Sequence, residues 1–179
     1  MLTDERTCLV LIDVQEKLAR VMHESEKMIA NCTILLQIAR TLNIPILWCQ
    51  QSPQALGLTV EPLLTHLEGI APIDKISFSC CGQPDFLLHL ERQAITTAIL
   101  CGIESHVCVF QTAMDLIQKG LDVHIIADAV TSRTPENKQI GLGRMATAGA
   151  VISSTEMLLF ELLGTARHDS FRTLSKLIR

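Results

Sequence analysis

Short, nearly continuous apolar runs recur along this chain, separated by stretches with helical spacing. Residues 7–12, 45–50, 94–101, 121–127 and 150–153 have the pattern of strands buried on both faces of a parallel sheet. Helices must then cover both faces. Residues 25–42 carry Met28, Ile29, Cys32, Leu35, Leu36, Ile38 and Ala39 at helical spacing, with Ser25 as N-cap and Asn43 at the end. Further helices are predicted over 84–93, 107–119, 135–148, 155–163 and 170–178, and Gly120, Gly149 and Gly164 mark stops.

Strands alternating with helices imply right-handed crossovers and a doubly wound, mostly parallel sheet with helices on both faces. That is a Rossmann-like three-layer αβα arrangement, here a single domain over residues 1–179. Ligands of such sheets bind beyond the carboxyl ends of the strands. Residues 51–69, with Pro53, Gly57 and Pro62, interrupt the alternation and read as a long loop with a short helix near that edge.

Composition narrows the function classes. Hydrophobic residues make up 48% and charged residues 19%, which excludes a disordered chain and leaves apolar surface for a homo-oligomer interface, a dimer or larger. The net charge is -4 and no Lys/Arg block occurs, so a nucleic-acid partner is not expected. The apolar runs are far shorter than the roughly 20 residues of a membrane span, and residues 1–7 do not resemble a secretory leader. A cytoplasmic protein without membrane partners is expected. Seven cysteines in a core-forming sequence suit reduced thiols, with Cys8, Cys32, Cys49 and Cys101 as small buried hydrophobes.

Chemistry concentrates at three places. In Leu100-Cys101-Gly102-Ile103-Glu104-Ser105-His106-Val107-Cys108, a strand ends in a glycine turn and a helix begins at the thiol. Unpaired N–H groups in a first helical turn favour thiolate. Asp13 follows Leu9-Val10-Leu11-Ile12 and sits at the mouth of the sheet, where a carboxylate needs a partner. Lys75, in Ile73-Asp74-Lys75-Ile76, can bring a cation to the same rim, keeping Asp13 ionised and stabilising a thiolate. Taken singly, an aspartate after a strand is usually a turn residue and a lone lysine is usually solvated.

The chain resembles the isochorismatase-like cysteine hydrolases, within them the isochorismatase-domain-containing group of unassigned substrate. The resemblance covers essentially its whole length. It rests on Leu11-Ile12-Asp13-Val14-Gln15-Glu16-Lys17, Gln50-Gln51-Ser52-Pro53 with Gly57-Leu58-Thr59-Val60, Lys75-Ile76-Ser77-Phe78-Ser79, and Cys101-Gly102-Ile103-Glu104-Ser105-His106-Val107-Cys108-Val109. It implies a catalytic triad of Asp13, Lys75 and Cys108, a cis peptide at Ile103–Glu104, and an oxyanion hole from the Glu104 and Cys108 N–H groups. The implied reaction is hydrolysis of a C–N bond in a small amide-type or related carbonyl substrate through a thioester, without a cofactor. Nicotinamidases of the family carry an Asp-x-His metal pair and further histidines, whereas only His66 lies between residues 24 and 88 here, so neither that activity nor a metal is expected. The isochorismate-cleaving members lack cysteine at the nucleophile position.

Other features take plainer readings. Gly141-Leu142-Gly143-Arg144-Met145-Ala146 approximates a dinucleotide fingerprint but lies within a predicted helix. His106 reads as a turn residue, and Cys80-Cys81, lacking C-x-x-C spacing, as a loop pair. Gln15, Phe78 and Trp48 are candidate substrate-pocket walls, with ordinary core packing the preferred reading for Trp48 and Phe78. A non-catalytic interaction protein retaining the hydrolase fold is the alternative function. A reactive Cys108 should label with iodoacetamide faster than the other six cysteines, with a pH profile below that of free cysteine.

Overall fold

Leu9 and Leu11 pack into one apolar layer, while Cys8, Val10 and Ile12 pack into another. A strand covered on both faces needs apolar residues at every position, which is why its sequence shows no alternation. The computed structural model describes residues 5–178. Its strands are β1 (Thr7–Ile12), β2 (Ile46–Gln51), β3 (Ile73–Lys75), β4 (Thr97–Ile103), β5 (Asp122–Thr131) and β6 (Val151–Ser153). Its helices are α1 (Glu16–Ala19), α2 (Ser25–Thr41), α3 (Pro53–Leu56), α4 (Glu61–Leu64), α5 (Pro84–Arg92), α6 (Cys108–Gln118), α7 (Pro135–Thr147), α8 (Thr155–Leu163) and α9 (Phe171–Leu174).

The six strands form one sheet, ordered β3-β2-β1-β4-β5-β6, in which every neighbouring pair is parallel. Ile46 and Trp48 of β2 and Ile99, Cys101 and Ile103 of β4 join Leu9 and Leu11 beneath α2 and Leu158 of α8. Leu47, Cys49, Ala98 and Leu100 turn the other way and pack with Phe86 of α5, Val109, Ala113 and Leu116 of α6, and Met145 of α7. The chain runs outward from β1 through β2 to β3, then returns to β4 on β1's other side. The crevice beyond β1 and β4 is therefore the topological switch point.

Several sequence-based bounds shift. β4 starts at Thr97 rather than at residue 94, because Ala94 (φ 49°) closes the exit of α5 and Ile95 N–H returns to the Leu90 carbonyl. β5 runs on to Thr131, with an irregularity in its pairing opposite Leu100 and Gly102. The N-cap of α2 is Glu24, in left-handed conformation (φ 48°), with Ser25 as the first helical residue. The final helix is confined to Phe171–Leu174. β3 and α1 carry no sequence signal of their own: the edge strand has three residues, one of them exposed, and the helix a single turn.

Candidate active site

Asp13 lies one residue past β1 with φ 53°, fully buried, its N–H bonded to the Cys49 carbonyl at 3.1 Å. Lys75 ends β3 and is 2% exposed. Its Nζ donates to Asp13 Oδ2 at 2.6 Å, Gln51 Oε1 at 2.8 Å, the Phe78 carbonyl at 2.9 Å and the Ser77 carbonyl at 3.3 Å. Burial alone would lower the lysine pKa, but the surrounding Asp13, Cys108 and Cys80 carry it above its ordinary value. Lys75 is thus a fixed ammonium. Burial raises the Asp13 pKa, and Lys75 only partly offsets this, leaving a stronger base than an ordinary aspartate.

Cys108 opens α6 and is 6% exposed. Its thiol lies beside Asp13, close enough to favour the ionised carboxylate, while Asp13 Oδ1 accepts no hydrogen bond. The thiolate favoured by the helix start meets opposing influences in the fold. Burial, and next the charge of Asp13, push the Cys108 thiol well up, outweighing Lys75. Both influences favour the neutral S–H beside Asp13.

The turn before Cys108 is held from several sides. The Ile103–Glu104 peptide is cis. Gly102 adopts φ 117°, and a Cβ there would overlap the Ile12 carbonyl oxygen, so the close approach of β4 to β1 requires glycine. The Glu104 carbonyl accepts from Val107 N–H at 3.0 Å and Val109 N–H at 3.2 Å. The Cys108 N–H between them, like that of Glu104, donates to no backbone carbonyl in this turn among the described residues. Ser105 N–H bonds the Thr131 carbonyl at 2.8 Å, and Glu104 Oε2 accepts from Arg133 N–H at 3.1 Å and Nε at 3.2 Å.

A family model described as the isochorismatase domain matches residues 7–157. The chain belongs to the isochorismatase family. Isochorismatase domain-containing protein 2 of Bos taurus is 36% identical over 172 residues, spanning 96% of this chain and 82% of its own length. The secreted isochorismatase effector Isc1 of Phytophthora sojae is 36% identical over 179 residues, spanning 96% of this chain and 83% of its own. The solved structure of the MAR1 ribonuclease from Caenorhabditis elegans superposes with a TM-score of 0.94 at 36% identity, covering 99% of this chain and 91% of that one.

In this isochorismatase-family fold Asp13, Lys75 and Cys108 come together, and the remaining candidates divide. Gln15 is fully buried: its Nε2 donates to the carbonyls of Gln51 at 3.0 Å and Gly57 at 2.7 Å, and its Oε1 accepts from Gln51 N–H at 2.7 Å. With donors and acceptor engaged, it clips the loop to the sheet rather than walling a pocket. Phe78 is 52% exposed, and its carbonyl rather than its ring serves the site, through Lys75. Trp48 is core, with Nε1 donating to Thr59 Oγ1 at 2.8 Å. His106 Nδ1 meets Ser132 Oγ at 3.0 Å, which fits a turn residue. Cys80 is buried beside α6, its N–H donating to Thr112 Oγ1 at 3.0 Å.

Two contributors escaped the sequence reading. Gln51 orients Lys75 and bonds the Ile76 carbonyl through Nε2 at 2.7 Å; its polar character at a strand's carboxyl end was the available signal. Gly141 lets α7 rest on the nucleophile turn, since a Cβ there would lie 2.9 Å from the Ser105 carbonyl carbon and oxygen. Among the described residues no group of three or more His, Cys, Asp or Glu side chains is arranged to hold a metal ion.

Proposed function

We propose that this chain is a cysteine hydrolase that cleaves the C–N bond of a small amide-type carbonyl compound through a thioester. The observation that carries the reading is the buried Lys75–Asp13 pair at 2.6 Å with the Cys108 thiol beside it at the switch point of the sheet. Asp13 takes the Cys108 proton as sulfur attacks the carbonyl carbon. The two events are coupled, because the thiol does not ionise by itself near neutral pH. The N–H groups of Glu104 and Cys108 hold the developing oxyanion. Asp13 passes the proton to the leaving nitrogen, the C–N bond breaks, and an acyl thioester stays on Cys108. Water, deprotonated by Asp13, then releases the carboxylic acid and restores the thiol. Lys75 keeps its charge throughout and fixes the carboxylate.

A panel of small carboxamides and ureido compounds, assayed for ammonia release with native protein and the Cys108→Ala variant, tests this. Release by native protein, abolished in the variant, is expected. Equal release by both would remove Cys108 from the mechanism.

The name of the Caenorhabditis elegans neighbour raises RNA as a substrate. A chain of net charge -4 without a Lys/Arg block lacks the usual phosphate-binding footprint, so carbonyl chemistry is the reading we adopt. Labelled RNA incubated in the same assay should remain intact. We further propose a cytoplasmic homo-oligomer. No described helix is long and apolar enough to cross a membrane. The exposed side chains of Leu58, Ile76 and Phe78 offer apolar surface for subunit contact. The secreted Phytophthora relative means that family membership alone does not assign the compartment.

A further inference from the structure

Away from the Asp13–Lys75–Cys108 cluster, a cavity of about 230 Å³ opens between the start of α2, the end of β5 and the middle of α7. Its lining includes apolar Met28, Val130 and Leu142, which are 2%, 0% and 8% exposed. It also carries two charges of each sign, Glu24 and Asp128 with Lys27 and Lys138.

These charges share a space without closing on one another. Lys138 is half-buried; burial lowers its pKa, Glu24 and Asp128 act in the opposite direction, and neither carboxylate reaches ion-pairing distance. Asp128 is held firmly: Oδ1 accepts from Thr155 N–H and Oγ1, both at 2.9 Å, and its carbonyl accepts from Asn31 Nδ2 at 2.7 Å. Oδ2 takes no part in those bonds. A half-buried lysine and a firmly held aspartate lining one cavity are complementary to a dipole rather than to a single charge, since an anion or a cation alone would leave half of the site uncompensated. The volume lies below the roughly 300–1,000 Å³ of drug-sized sites, which restricts the occupant to a few heavy atoms.

We propose that this cavity binds a small zwitterion of α-amino-acid type, with its carboxylate towards Lys138 and its ammonium towards Glu24 and Asp128. The site is independent of the hydrolase reading. Thr131 lines the cavity and bonds the nucleophile turn through its carbonyl, so an occupant would sit one residue away from that turn.

Calorimetric titration of the full-length Cys108→Ala protein with glycine, L-alanine and L-serine tests the proposal, whatever the ammonia assay finds. Saturable binding of at least one is expected. Its N-acetyl and carboxamide derivatives should bind about tenfold or more weakly, as should the free amino acid in Lys138→Met and Glu24→Gln variants. Thermal melts of both variants establish that they are folded. Absence of binding by all three amino acids, undiminished binding in folded Lys138→Met, or equal binding of the blocked derivatives would each overturn the proposal.

Discussion

Asp13 divides its work between two oxygens: Oδ2 is committed to Lys75 at 2.6 Å, while Oδ1 makes no full hydrogen bond and is left for the thiol. Removing either member of a buried pair strands the other. Asp13→Asn and Lys75→Met should each lower unfolding free energy by about 3–5 kcal/mol in denaturant titrations, and the double variant should lose less than the sum. Additive losses would mean that the pair is not coupled. At Cys108, a thiol raised above the ordinary cysteine value of 9.0 alkylates through a small ionised fraction. The iodoacetamide rate at Cys108, followed by peptide mass mapping, should therefore keep rising beyond pH 9; a plateau reached by pH 8 would indicate a low-pKa thiolate instead. The sequence put all three residues at the sheet rim, and the fold brings their side chains together. The sequence did not show the opposing influences on the thiol, because the helix start is a local feature, whereas the burial that dominates its ionisation comes from distant segments.

The glycines of α7 offer a matched comparison at the level of the element. Gly141 faces the nucleophile turn, whereas a Cβ on Gly143 would meet nothing within 4 Å. Alanine is the better helix former by about 1 kcal/mol, so Gly143→Ala should stabilise the protein by about that amount. Gly141→Ala gains the same propensity but must push α7 off the Ser105–His106 backbone, and overpacking of this kind costs about 1–3 kcal/mol. It should show a net loss in thermal unfolding and a changed Cys108 labelling rate. Equal behaviour of the two variants would show that the close packing is inconsequential. The fingerprint-like Gly141-x-Gly143 is thus half packing requirement and half incidental. β3 was illegible for a related reason: an edge strand of three residues is ordered by pairing with β2, not by an apolar run of its own.

Across the whole molecule, thiols buried in the neutral form set an alkaline limit. Burial pushes Cys8 up to about 12 from 9.0, and Cys32, Cys49 and Cys108 are raised as well. A group whose folded pKa lies above its unfolded value stabilises fully below the unfolded value and loses that contribution as pH rises through the folded one. Unfolding free energy should hold from pH 7 to about 9 and then fall. Cys8→Ala should reduce the slope above pH 9 by about one proton, and an unchanged slope would exclude Cys8 as a contributor. With no tyrosine in the chain, phenol titration does not obscure the measurement.

The sequence by itself determined the alternation of buried strands and covering helices, and put an acid, a cation and a thiol at the rim of the sheet. Both follow from patterns spanning a few residues: apolar periodicity, glycine stops, and a polar residue where a strand ends. Tertiary structure alone decided in which direction burial and neighbours shift each group, that Gln51 orients Lys75, that Gln15 is a clip, and that α7 leans on the nucleophile turn. Those properties depend on desolvation and contact between segments far apart along the chain, and no local window of sequence contains both partners.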